Sequence, residues 1–245
     1  MIRKIVQEII EDLKRTAPKL TFEQINRRNK ILNFDNPMFI CYGHKISEIE
    51  KITRAIYIKY QLSYEDSLNI FKILVKSNVH EEKFAAVFFL NCFKVHFNET
   101  VITVFKNALS KYCDTWAFCD TSCIRVLGPF LGKNRNQALA ELTIDNWSKS
   151  EYLWVKRASL VILLKIIMIH RVFDDNYIYD FVDNMLKHHE VYIQKGIGWL
   201  LKTCSRYNPE SVFKYLMNNR ENLSSLILRY ASEKFPKEKR KLLFK

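Results

Sequence analysis

Apolar residues recur along most of the chain with the three- and four-residue spacing of an α-helix. Between residues 2 and 16 they form one helical stripe, which consists of Ile2, Ile5, Val6, Ile9, Ile10 and Leu13. Similar stripes follow at 21–34, from Ser47, from Ser63, at 80–95, from Asn98 to Tyr112, from Trp116, at 133–147, from Trp154 to Ile169, and at 174–187, 190–206 and 222–232. No convincing pair of strands is present. The pattern therefore predicts an all-α protein of about a dozen helices, mostly in antiparallel pairs.

Turn-forming residues mark the expected ends of several helices. Ser63 is placed to cap the helix that follows it, and Asn208-Pro209-Glu210 restarts a helix with Pro in its first turn. Asp35-Asn36-Pro37 is predicted to be a loop. Gly128-Pro129 is expected to stop the helix that begins near Trp116, because Pro is unfavourable inside a helix.

A repeat of 36 to 38 residues determines how the helices are expected to stack. Phe84-Ala85-Ala86, Asp120-Thr121-Ser122, Arg157-Ala158-Ser159 and Lys195-Gly196-Ile197 align at successive steps of 36, 37 and 38 residues. Each places a larger residue before two small or apolar ones inside an apolar helix. A period of this length is typical of HEAT-like helical pairs. We therefore predict a right-handed solenoid of such pairs.

Composition supports one helical domain with a basic end. The chain has 245 residues, 48% of them hydrophobic, with only five Gly and five Pro, which is few for a protein rich in turns. We expect a single repeat domain over residues 1–233 and a solvated basic tail over 234–245. The formal charge of +13 favours encounters with polyanions.

The cysteines and the apolar runs indicate a cytoplasmic protein. None of the six cysteines forms a Cys-x-x-Cys pair, and we interpret them as reduced thiols. Cys119 and Cys123 lie four residues apart without a helpful His, so we predict no metal and no cofactor. The longest apolar run, Ala158 to Ile169, is interrupted by Lys165 and is too short to cross a membrane. We expect a monomer that does not associate with membranes.

The first candidate for chemistry is the pair Trp116 and Asp120. On a helix, residues four positions apart lie on one face. Asp120 could be a first-turn acid that interacts favourably with the helix dipole, beside a core Trp. Alternatively, it could be an acid held in a functional cleft.

The repeat places further side chains in the same register as Asp120. Arg157 and Lys195 occupy that position in the next two repeats, so the three are expected to form a row along one face, plausibly the concave one. Trp116 lies one turn before the register position and Trp199 one turn after it. A basic surface with indoles suits DNA, since Arg forks onto phosphates and Trp packs against sugars or bases. A carboxylate repels phosphates, so its presence there suggests stabilisation of a sugar cation or orientation of a water molecule.

Five motifs, in order and spacing, resemble a known family. They are Tyr42-Gly43-His44-Lys45, Val79-His80-Glu81-Glu82-Lys83, Trp116-x-x-x-Asp120, Leu153-Trp154-Val155-Lys156-Arg157-Ala158 and Ile193-Gln194-Lys195-Gly196-Ile197-Gly198-Trp199. On these residues, from about 40 to 205, the chain resembles the AlkD family of DNA alkylation-repair glycosylases. The segment before residue 40 departs most from the family.

The resemblance implies a fold, an activity and a set of site residues. The family is an all-helical HEAT-like solenoid that removes cationic alkylpurines, chiefly N3-alkyladenine and N7-alkylguanine, from duplex DNA. It implies Asp120 as the catalytic carboxylate, Trp116 and Trp199 as the aromatic pair beside the lesioned deoxyribose, and Arg157 as a backbone contact. It also implies that the lesion is held from the backbone side, without a base-flipping pocket.

The chemistry of the substrate agrees with a single carboxylate. A cationic alkylpurine leaves as a neutral base, so it needs no general acid. We therefore predict a monofunctional alkylpurine DNA glycosylase of base excision repair, whose partner is double-stranded DNA with alkylated purines. Lys156 and Lys195 are further predicted DNA contacts, although Lys195 could instead form a Schiff base with the sugar. The alternative function is a non-catalytic HEAT-like module that binds DNA or a protein.

Overall fold

The computed structural model describes residues 1–32 and 38–244, and its regular secondary structure there consists of helices joined by loops. The predicted loop at 35–37 lies outside these residues. Within them there is no β-strand, and Ile40 and Val79 form a single isolated parallel bridge. The prediction of an all-α protein is confirmed.

The helices belong to two compact units, Met1–Phe130 and Leu131–Lys245. The first contains α1 (Ile2–Arg15), α2 (Phe22–Leu32), α3 (Ile46–Lys59), α4 (Tyr64–Leu74), α5 (His80–Asn91), α6 (Thr100–Lys111) and α7 (Trp116–Ser122). The short helix α8 (Gly128–Leu131) carries the chain into the second unit. That unit contains α9 (Gln137–Ser148), α10 (Leu153–His170), α11 (Asp175–Met185), α12 (Val191–Cys204), α13 (Pro209–Asn218), α14 (Ser225–Ala231) and α15 (Lys237–Leu243).

In the first unit, α5 is the central helix. It packs against α1, α3, α4 and α7, and every residue from Glu81 to Leu90 is buried. Consecutive odd-numbered helices α3, α5 and α7 therefore lie side by side, while α4 packs against α6 in a second layer. This alternation of layers is the local packing expected of helical pairs.

The second unit repeats the arrangement around α10 and α12. The helix α10 packs against α9 and α12, and α12 packs against α14. The remaining helices α11 and α13 contact α12 from the other layer, so every second helix again stacks on the next. In both units, the step of about 37 residues thus corresponds to the length of one helical pair. The handedness of a solenoid stays a prediction.

A small residue allows the close approach of α12 and α14. A Cβ atom added to Gly198 would lie 2.5 Å from the Cβ of Tyr230 and 3.1 Å from the carbonyl oxygen of Ile227. Real side chains do not approach so closely, and both contacts involve atoms that cannot swing away. The helix that carries Trp199 is therefore seated tightly on its neighbour at the position just before that indole.

The helix that begins at Trp116 does not stop at Gly128-Pro129, contrary to the prediction. It passes through a π-helical turn over Cys123–Leu127 and continues as α8 to Leu131. The amide of Gly128 donates to the carbonyl of Cys123, five residues back. This wider turn changes the carbonyl positions that Pro129 would meet in a regular α-helix, so the chain accommodates a residue that normally ends one.

The basic end of the chain forms structure, whereas the sequence suggested a solvated tail. It folds into α15, which packs against α13. Leu243 is buried, and the rings of Phe235 and Phe213 lie 5.6 Å apart. Lys239 pairs with Glu210 at 2.6 Å. The two buried apolar residues of this end, Phe235 and Leu243, anchor it to the second unit.

No helix within 1–32 and 38–244 is long and apolar enough to cross a membrane.

Candidate functional site

Trp116 and Asp120 lie one turn apart on α7. The helix begins at Trp116, and the hydroxyl of Thr115 caps it by accepting from the amide of Phe118 at 3.3 Å. The Trp116 ring is half-buried, and Asp120 is only 7% exposed. No acidic residue lies in the first turn. The interpretation of Asp120 as a first-turn acid is therefore wrong, because the helix begins four residues before it.

The indole of Trp116 is held by the N-terminal part of the chain. Its Nε1–H donates to the carbonyl oxygen of Ile31 at 3.1 Å. Ile31 lies in the last turn of α2, where helix carbonyls lack an intrahelical partner. The segment before residue 40, which differs most from the family pattern, thus holds Trp116, one of the two predicted site residues in this unit.

The start of α7 is held from the opposite side by α5. The ammonium of Lys83 lies 2.6 Å from the carboxylate of Asp114 and donates to the carbonyl of Tyr112 at 2.6 Å. Lys83 is almost fully buried, and Asp114 precedes the capping residue of α7. This ion pair fixes the entry of the chain into the helix that carries Trp116 and Asp120.

Cys41 and Cys113 do not offer a nucleophile. Burial, together with the charge of Glu81, raises the pKa of Cys41 to about 11. Burial also raises the pKa of Cys113 well above its ordinary value. These thiols are protonated at neutral pH and are poor nucleophiles. In the described part of the chain no three His, Cys, Asp or Glu side chains are grouped to hold a metal ion.

In the second unit, Arg157 links α10 to α12. Its Nη1 donates to the carbonyl oxygen of Tyr192 at 2.5 Å, and the side chain is buried. A Cβ atom on Gly196 would lie 3.6 Å from the same nitrogen. That distance is an ordinary contact, whereas the same Cβ would lie 2.9 Å from Cδ1 of Leu160, so Gly196 chiefly lets α12 approach Leu160 on α10, in agreement with the small-residue packing that the register alignment suggested.

Lys195 and Trp199 lie on α12, the helix that Arg157 contacts from α10. The Lys195 ammonium lies 5.7 Å from the centroid of the Tyr192 ring, within cation–π range. Trp199 lies one turn further along α12 and is half-buried. Tyr192 therefore adjoins Arg157 through its carbonyl and Lys195 through its ring. Sequence reasoning did not assign this linking role to Tyr192.

Lys156 does not join this group. Its Nζ lies 3.1 Å from Nδ1 of His188 and 3.4 Å from the Glu190 carboxylate, at the start of α12. A backbone hydrogen bond and the Lys156 ammonium lower the pKa of Glu190 despite its partial burial. Lys156 is itself 7% exposed. Its placement favours a role in joining α10 to the start of α12, and its predicted contact with DNA stays a prediction.

The site residues therefore form two groups, each fixed within its own unit. Trp116 and Asp120 belong to the first unit, whereas Arg157, Lys195 and Trp199 belong to the second. Within the second unit, Arg157 and Lys195 both contact Tyr192, so these two register positions lie near each other. A row that also includes Asp120 stays a prediction.

The fold and these residues define the class of protein, and a sequence comparison gives its family. The chain is an all-helical protein built from stacked helical pairs, with a buried carboxylate one turn from an indole. A sequence model described as DNA alkylation repair enzyme matches residues 9–235, and the chain belongs to that family. The family assignment supports a role in alkylation repair.

A solved structure supports the fold. The chain is similar to a structure titled "Predicted DNA alkylation repair enzyme from Enterococcus faecalis", with a TM-score of 0.74 and 18% sequence identity. The similarity covers 91% of this chain and 100% of the other. No curated protein matches the sequence.

Proposed function

We propose that the protein is a monofunctional DNA glycosylase that removes cationic alkylated purines from duplex DNA. The substrates would be N3-alkyladenine and N7-alkylguanine nucleotides. The observation that carries this proposal is the placement of Asp120, a buried carboxylate one helical turn from Trp116, in a protein of the DNA alkylation repair family. Burial of a carboxylate costs free energy, so a carboxylate in such a position is expected to serve structure or chemistry.

The reaction needs only one acid. When the N-glycosidic bond breaks, its electron pair moves to the alkylated ring, which leaves as a neutral base. The sugar is left as an oxocarbenium-like cation, and a water molecule adds to it and releases a proton. Asp120 stabilises the developing cation and holds the water, because a negative charge close to the sugar favours the transition state over the ground state.

The other residues bind the duplex. Trp116 and Trp199 present half-buried rings that can pack against the deoxyribose of the lesion. Arg157 and Lys195 meet phosphates. The cation–π contact of the Lys195 ammonium with the Tyr192 ring favours a phosphate-binding role over a Schiff base with the sugar. Lys156 acts mainly through Glu190 at the start of α12.

The direct test is release of modified base from methylated duplex DNA. With enzyme in excess, N7-methylguanine and N3-methyladenine should appear at a rate far above their spontaneous loss. The same DNA without methylation should release nothing. Binding of duplex DNA without any acceleration of base loss would contradict the proposal and favour a non-catalytic binding module.

A second prediction concerns the phosphate contacts of the second unit. Lys195→Gln should weaken binding to all duplexes alike and reduce the slope of log affinity against log salt by roughly one charge. Arg157→Gln should do the same, and its thermal midpoint is measured alongside, because Arg157 is buried and donates to the Tyr192 carbonyl. Fluorescence anisotropy at several salt concentrations measures both quantities. Lys202→Gln is the matched control on the same helix as Lys195, because Lys202 is already paired with Glu233 at 2.9 Å. A loss confined to one DNA sequence would argue against phosphate contact.

A further inference from the structure

The helix α2 is held by very little apolar packing. Of its residues Phe22–Leu32, only Leu32 is buried, and Phe22 is 78% exposed. Helices in proteins are stabilised mainly by burial of an apolar face. Specific polar contacts must therefore fix the position of α2, and with it the Ile31 carbonyl that accepts from Trp116.

Arg28 makes those contacts. Its guanidinium donates to the carbonyl oxygen of Gly43 and to the sulfur of Cys41, the latter at 3.2 Å. It also lies 3.8 Å from the carboxylate of Glu81. Three acceptors on one side of the guanidinium match the planar fork of Arg, which a Lys ammonium does not reproduce.

The loop that receives Arg28 is itself fixed by Glu81. This carboxylate is buried and accepts from the amides of Gly43 at 2.7 Å and Tyr42 at 2.8 Å, and from the thiol of Cys41. Burial opposes ionisation of Glu81, but the two amide hydrogen bonds, together with the charge of His80 and the Cys41 thiol, lower its pKa. Gly43 has φ of 112°, and a Cβ there would meet Leu20, so the loop depends on Gly at this position.

The contacts form a continuous path to the candidate active site. Glu81 in α5 fixes the loop, the loop receives Arg28, and Arg28 lies one helical turn before Ile31, whose carbonyl accepts from Trp116. All of these residues lie in the first unit. We propose that Arg28 is a positioning residue that sets the orientation of the Trp116 indole through the Ile31 carbonyl. Its effect on base release rests on the proposed function, whereas its effect on the indole does not.

The kinetic test is a double-mutant cycle between Arg28 and Trp116. Arg28→Ala should lower the single-turnover rate of base release at saturating DNA by about 2- to 10-fold, as expected for one lost hydrogen bond. Trp116→Phe keeps an aromatic ring but removes the N–H donor. In that background Arg28→Ala should change the rate by less than about 2-fold, because the contact through which it acts is already absent.

Arg27→Ala is the matched control, since Arg27 is the exposed neighbour on the same helix and carries the same charge. It should leave the saturated rate unchanged, whatever it does to DNA affinity. Arg28→Lys keeps the charge but not the fork, so it should fall between the parent and Arg28→Ala. Equal losses for Arg28→Ala in both Trp116 backgrounds would overturn the proposal, because they would show an effect independent of the indole N–H.

The indole resonances give a readout that needs no catalysis. In nitrogen-15 NMR spectra, Trp116→Phe identifies the Trp116 N–H signal by its disappearance. Arg28→Ala should shift that signal and speed its exchange with water, whereas Arg27→Ala should not. An unmoved signal in a folded Arg28→Ala variant contradicts the positioning role. A shifted signal in a protein that releases no base would retain the positioning role and refute the glycosylase activity.

Discussion

Asp120→Asn is expected to bind duplex DNA as well as the parent or better, while releasing N7-methylguanine about 10²–10³-fold more slowly. The amide keeps the size and nearly the shape of the carboxylate, so the substitution isolates its charge. Loss of that charge removes the stabilisation of the sugar cation. It also removes a repulsion from phosphates, and for this reason the effects on affinity and on rate should be opposed.

Three measurements on the Asp120→Asn protein separate the interpretations. They are the thermal midpoint, the duplex affinity and the single-turnover rate of base release. Asp145→Asn is the control, since Asp145 is exposed, pairs with Lys149 across one helical turn, and loses the same unit of charge. Asp145→Asn should match the parent in rate. If Asp120→Asn releases base as fast as the parent, the catalytic assignment is wrong.

Lys83→Met is expected to lower the free energy of unfolding by about 3–5 kcal/mol. The substitution removes the partner of the Asp114 carboxylate and leaves that charge with little water around it, because the side chains of Lys83 and Asp114 are 4% and 16% exposed. It also deprives the Tyr112 carbonyl of its donor. Unfolding in urea, followed by circular dichroism, measures the change.

Lys149→Met provides the comparison for this prediction. Lys149 and Asp145 form an ion pair of similar length, 2.8 Å, but their side chains are 68% and 58% exposed. Solvent-exposed pairs contribute about 0.2–1 kcal/mol, so this variant should lie close to the parent. A Lys83→Met protein as stable as Lys149→Met would show that the buried ion pair does not hold the start of α7.

Some of the fold could be predicted from the sequence because its cause is local. Ser63 caps a helix as expected, since its side-chain oxygen accepts from the amide of Asp66, and Pro209 lies in the first turn of α13 as expected. The step of about 37 residues predicts the stacking of α10 on α12 because one helical pair has that length.

Other features depend on contacts that a sequence pattern does not contain. The acceptor for Trp116 is a backbone carbonyl 85 positions away, and every residue type has such a carbonyl. Lys156 adjoins Arg157 in sequence, yet successive residues on a helix point about 100° apart. Lys156 reaches His188 before α12, whereas Arg157 reaches Tyr192 within it. The run of basic residues at the end of the chain predicts a solvated tail, but Phe235 and Leu243 within it are buried.

Within the candidate site, the sequence predicted residue types better than it predicted their surroundings. The pairing of Trp116 with Asp120 needs only helical spacing, and the structure places both on α7. The joint arrangement of Asp120 with Arg157, Lys195 and Trp199 stays a prediction, as does a single domain over 1–233.

The π turn at Cys123–Leu127 bears on how this chain should be compared with its relatives. A π turn holds one more residue than the α-helical turn it replaces, so a helix can absorb a single inserted residue without any change in its connecting loops. Buried positions on either side, such as Phe118 and Leu131, then keep their burial. A relative whose corresponding helix is α-helical throughout should therefore align with a one-residue gap inside this helix, a place where gaps are usually forbidden. Aligned without that gap, such a relative would be matched one position out of phase after the turn.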